Sequence, residues 1–194
     1  MPRVSISFLA AVERGLERAC AGLEELSGSR LYLESMGVDR LPVLEIGDRL
    51  AREERVVAVF VTFDGDVTGY GLLVLSEEGA HWMARRLLGT ELEGDEPLFL
   101  SALQEVGNIS LSGFLNGVAD YFGVSIRPSA PIFIRDTLAA VTNSLAAAVS
   151  ATREEAYFVR TRFYFDEEPG VTGHLVLLPE TDLETVGRAE IPVG

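Results

Sequence analysis

Apolar residues at Phe8, Val12, Leu16, Ala19, Leu23 and Leu26 recur at steps of three and four, which predicts a helix over residues 6–26. Ser27-Gly28 ends it. The period shortens to two over residues 30–36, so a strand follows; Pro42 marks a loop and residues 46–52 read as a short helix. Residues 55–63 (RVVAVFVTF) form a β-branched strand, Asp64-Gly65 reads as a hairpin turn, and residues 67–75 read as the return strand. Ser76 followed by Glu77 and Glu78 starts a helix that runs to Leu88 and stops at Gly89. Residues 90–97 are a polar, acidic connector.

The order then repeats. Residues 97–122 read as a long helix stopped by Gly123, with short strands at 124–126 and 132–134 around a Pro-Ser-Ala-Pro turn. An alanine-rich helix at 137–149, a strand at 156–165, a DEEPG turn and a return strand at 173–178 follow, and Pro179-Glu180 opens a last short helix. VTGYGLLVLSEE at 67–78 matches VTGHLVLLPETD at 171–182. The chain is thus expected to be one unit, residues 1–194, built from two similar halves of about 1–95 and 96–194. Hairpins imply a mainly antiparallel sheet and an α+β class.

Composition narrows the chemistry. The net charge is −14 and all basic residues are arginine. An acidic chain without a basic stripe is not expected to bind nucleic acid or an anionic membrane. The absence of lysine removes Schiff-base chemistry and a P-loop lysine. No apolar run is long enough for membrane insertion, and Glu13-Arg14 break the apolar N-terminal stretch, which argues for a cytoplasmic protein. Cys20 is the only cysteine and falls in the apolar helical pattern, as a small core residue does. His81 and His174 lie apart in sequence without neighbouring ligands, so no metal site is expected. No G-x-S-x-G context supports a serine triad.

The long helix of the second half carries two faces. Leu103, Gly107, Leu111, Phe114, Val118 and Phe122 make the apolar one. Ser101, Glu105, Asn108 and Ser112 make a polar stripe that meets solvent. Taken alone, such a stripe reads first as a merely solvated face. Glycine inside a helix costs about 1 kcal/mol relative to alanine, so Gly107 and Gly113 imply the close approach of another helix, and Gly15 and Gly22 make the first helix that neighbour. Asparagine does not titrate, yet it can donate one hydrogen bond and accept another, and so can hold a water for in-line attack on phosphorus. Glutamate can pair with a cation on a partner.

The spacing Ser101-x3-Glu105-x2-Asn108-x22-Pro131 resembles the signature of the CheC/CheX/FliY phosphatases of bacterial and archaeal chemotaxis. The flanking EVGNISLSGFLNGVADYFGVSIRPSAPIF and the C-terminal YFVRTRFYFDEEPGVTGHLVLLPE are similar to CheC as well. The resemblance implies a pseudo-twofold α+β unit with the two long helices side by side, and hydrolysis of the aspartyl phosphate of the response regulator CheY. It implies that Asn108 positions the attacking water, that Glu105 pairs with a CheY lysine, and that Ser101 and Pro131 support the site. It implies no cofactor on this chain, with Mg2+ held by CheY, and CheD as a further partner. Matching Gly22 to Gly113 sets Ala10, Arg14 and Glu17 opposite Ser101, Glu105 and Asn108, so one working site is expected. That loss motivates an alternative, a non-catalytic adaptor that binds CheD or phospho-CheY.

Overall fold

A computed structural model describes residues 4–46, 55–89, 97–149, 155–165, 170–181 and 183–186. The expected helix at 46–52, the acidic connector and most of the DEEPG turn lie outside them.

Helix α1 (Ile6–Ser27) is capped by Ser5, whose side chain accepts from the Phe8 N–H, and ends at Gly28 in the left-handed region. Strand β1 (Leu31–Pro42) and a short 3-10 turn (Val43–Glu45) follow. Strands β2 (Arg55–Gly65) and β3 (Gly69–Ser76) form the first hairpin, and Ser76 caps helix α2 (Glu77–Leu88). Helix α3 (Pro97–Phe122) leads to β4 (Ile126–Pro128), β5 (Ile132–Thr137) and helix α4 (Leu138–Val149). Strands β6 (Glu155–Phe165) and β7 (Val171–Pro179) form the second hairpin, before helix α5 (Leu183–Val186).

All strand pairs are antiparallel, in the order β1-β6-β7-β3-β2-β4, with β5 also on β2. The two hairpins meet at β3 and β7, and each outer position is filled from the other half: β1 lies on β6, while β4 and β5 lie on β2. On one face Val57, Val59, Leu73, Val159 and Leu175 pack beneath α1 and α3. On the other, Ala58, Leu72, Val74, Phe158 and Val176 pack beneath the 3-10 turn and α4, through Val43, Leu138 and Val141.

The two long helices run antiparallel in near backbone contact. A Cβ on Gly117 would stand 2.5 Å from Gly15 Cα, and one on Gly113 would stand 2.7 Å from Ala19 Cα. Gly15 faces Phe114, and Gly22 faces Ile109. Arg18 and Asp120 bridge the pair at 2.7 Å. Gly107, expected at this seam, instead lets α3 lie against Val59 of β2, while Gly117 carries the closest helix contact. Leu26, read as apolar face, is exposed. Cys20 is half-buried; its thiol donates to Leu31 O at 2.8 Å and burial pushes its pKa up.

Two turns differ from expectation. Asp64 and Gly65 stay in β2 because β4 pairs with them, and a side chain on Gly65 would strike Ser125 O. The chain turns instead at 66–68, where the Asp66 carboxylate accepts the Ser125 N–H at 2.7 Å. Pro179-Glu180 does not begin a helix: Pro179 ends β7, and the Glu180 N–H donates to Thr68 O at 2.8 Å. The hairpins also reset the internal repeat. Val61 pairs with Gly71 and Thr161 with Gly173, so Gly71, not Gly69, corresponds to Gly173.

His174 on β7 stacks on Phe158 with ring centroids 5.0 Å apart, and its buried Nδ1 has no hydrogen-bond partner. Burial, with a smaller effect from Arg160, lowers its pKa to about 4. Histidine that charges more readily when unfolded favours unfolding as pH falls. Stability is therefore expected to decline from pH 6.5 to about 4, and His174→Phe to flatten that decline in urea unfolding at stepped pH. At the helix seam, Gly117→Ala is expected to cost about 1–3 kcal/mol by overpacking, against the usual gain of alanine in a helix, as read by denaturant midpoint.

Candidate functional site on helix α3

The helix that buries Leu103, Val106, Gly107, Leu111 and Phe114 must turn its remaining face outward. Ser101 and Glu105 are exposed there, and Asn108 and Ser112 are partly buried one turn further along. Residues three and four apart share a helical face, so the four side chains form one strip. Ser112 Oγ donates to Asn108 Oδ1 at 3.5 Å. This leaves the Asn108 Nδ2 protons and an Oδ1 lone pair for an incoming group. Among the described residues no hydrogen bond or ion pair holds the Glu105 carboxylate.

Pro131 sits in the loop between β4 and β5, and the structure brings it to the strip through Gln104, whose Nε2 donates to Pro131 O at 3.2 Å. Leu98, one turn before Ser101 on the same helix, is an apolar neighbour of the strip and is 52% exposed. Sequence reasoning missed Gln104 and Leu98. Leu98 reads as an ordinary apolar position until its neighbours are placed. The two histidines stand on opposite sides of the sheet, His81 against Phe99 and His174 against Phe158. Among the described residues no cluster of three His, Cys, Asp or Glu is placed to hold a metal ion. No helix among them is long and apolar enough to cross a membrane.

The first half offers no matching strip, but the correspondence differs from the sequence alignment. Buried positions on α1 fall on buried positions of α3 whether the helices are matched at an offset of 91 or 95, because four residues are close to one turn. The helix ends decide. Gly28 and Gly123, both left-handed, correspond at 95, as do the strand starts Leu31 and Ile126. In that register Ile6, Ala10, Glu13 and Met36 stand where Ser101, Glu105, Asn108 and Pro131 stand. Arg14 and Glu17 are therefore not the counterparts of Glu105 and Asn108, yet the acid and the amide are missing all the same. Ile6 is 86% and Met36 51% exposed, so the equivalent surface is largely apolar. A strip that serves no structural purpose is expected to tolerate truncation: Glu105→Ala and Asn108→Ala should each shift unfolding free energy by less than about 0.5 kcal/mol, measured by urea titration.

A family model described as CheC-like matches residues 99–135, the stretch that holds the strip and Pro131. The protein named CheY-P phosphatase CheC of Bacillus subtilis is 29% identical over 134 residues, 66% of this chain. The chain spans 64% of that relative's length. The crystal structure of Thermotoga maritima FliY superposes with a TM-score of 0.81 at 16% identity, covering 98% of this chain and 100% of that one. A Borrelia burgdorferi CheX-CheY-BeF3-Mg2+ complex contains a chain that superposes with a TM-score of 0.53 at 19% identity, covering 87% and 97%. The family model covers the helix and loop of the polar strip, the fold match extends over nearly the whole chain, and the protein is similar to CheC-like proteins in both.

Proposed function

We propose that this chain is a hydrolase of two-component signalling that removes the aspartyl phosphate of the chemotaxis response regulator CheY. The observation that carries the reading is the pair of exposed Glu105 and partly buried Asn108 on one face of α3, with Ala10 and Glu13 in its place on α1. The names of the B. subtilis relative and of the B. burgdorferi complex support it. An aspartyl carboxylate is a stable leaving group, so the reaction needs an aligned water more than a strong acid. The water oxygen bonds to phosphorus as the bond from phosphorus to the aspartyl oxygen breaks. Asn108, its Oδ1 oriented by Ser112, holds that water in line.

Glu105, free of internal partners among the described residues, pairs with a lysine of the regulator. Ser101 supports the strip and Pro131 shapes the loop beside it. Magnesium belongs to the regulator in this scheme, since Glu105 is the only carboxylate on the strip and a magnesium site draws on several oxygen ligands. The reading places the chain in the cytoplasm.

Phosphate release from a cognate phospho-CheY tests it. Asn108→Ala is expected to lower the rate by about a hundredfold or more, and Glu105→Ala to weaken engagement of the regulator. Normal release by Asn108→Ala sinks the proposal. Wild-type protein that binds phospho-CheY without accelerating release would favour the adaptor reading, motivated by the degenerate first half.

A further inference from the structure

The loop carrying Pro131 is fastened at two points. Ser129 exchanges bonds with β2: its N–H donates to Thr62 O at 2.8 Å and its Oγ accepts the Thr62 N–H at 3.1 Å. Gln104 then ties Pro131 O to α3. Among the described residues the Gln104 bond is the one hydrogen bond joining this loop to the helix of the polar strip. Gln104 adjoins Glu105 and lies one turn before Asn108, so the tie acts within a turn of both.

The degenerate half supplies an internal control. In the register set by the helix ends, Gln104 corresponds to Leu9 and Pro131 to Met36. Leucine has no donor, so the half that lacks the acid and the amide lacks the tie as well. The scaffold of α1 and β1 forms without a bond of this kind.

We infer that Gln104 is a positioning residue of the α3 site: through Pro131 O it holds the Pro131 loop at the height where a docked regulator meets it. This inference rests on reading the strip as a phosphatase surface. Gln104→Met keeps the side chain's length and removes its donor, at an exposed position that does not threaten folding. It is expected to raise KM for the phosphorylated regulator by about three- to tenfold, the worth of one net hydrogen bond. The turnover rate should stay near wild type, and the Ala130 and Ile132 amides should exchange faster with solvent. Unchanged KM and exchange would overturn it, as would a loss confined to turnover, which would put Gln104 at the reacting atoms. If wild type releases no phosphate, the phosphatase reading fails on its own. Amide exchange then judges the tie: faster exchange in Gln104→Met upholds it and unchanged exchange overturns it.

Discussion

A methyl group cannot stand between Gly15 and Gly117, and the rest of the architecture follows from that closeness. With the backbones of α1 and α3 nearly touching, the pair becomes a narrow slab that one face of a seven-stranded sheet can cover. Gly107 sets α3 down on Val59 in the same way. Both contacts consume the glycine-bearing sides of α3. Its third side is left to solvent, and there the chain places the acid, the amide and the hydroxyls.

The charged groups differ in how firmly the fold holds them. Glu77 opens α2 and is gripped by Arg135, with its Nε at 2.8 Å, and by Arg55 at 3.3 Å. The hydrogen bond from Arg135 holds the Glu77 carboxyl below its ordinary pKa. This cluster ties β2, β5 and the start of α2 together, and as a carboxylate with a lowered pKa it stabilises the fold above the usual glutamate range and loses that contribution in acid. Among the described residues nothing grips Glu105 in this way. A carboxylate left without internal partners on a rigid helix keeps its charge available for another molecule.

Much of this was legible in the chain. Helices α1, α2 and α3 end within a residue of where periodicity, Ser76, Gly89 and Gly123 place them, because those ends are determined locally. The polar strip followed from the spacing of Ser101, Glu105 and Asn108 alone. What escaped was set by distant partners. Asp64-Gly65 looked like a turn because nothing local reveals that β4 pairs with it from the other half. The Gly22–Gly113 match misplaced the degenerate site by one turn, since a helix repeats its burial pattern at that interval. Gln104 carries no signal in sequence: its bond forms only when Pro131, far along the chain, is brought beside it.

The exchange of outer strands sets an order on folding. Leu31 of β1 finds its partner Phe165 only after β6 exists, so on a ribosome the first half waits with one strand uncovered. The first hairpin likewise lacks β4 and β5 until α3 has been made. Closing loops of that length costs entropy before any contact repays it, and chains dominated by such pairings fold slowly. A fragment ending between the halves exposes two strand edges, the surface on which extended chains aggregate. The two halves therefore complete each other's sheet.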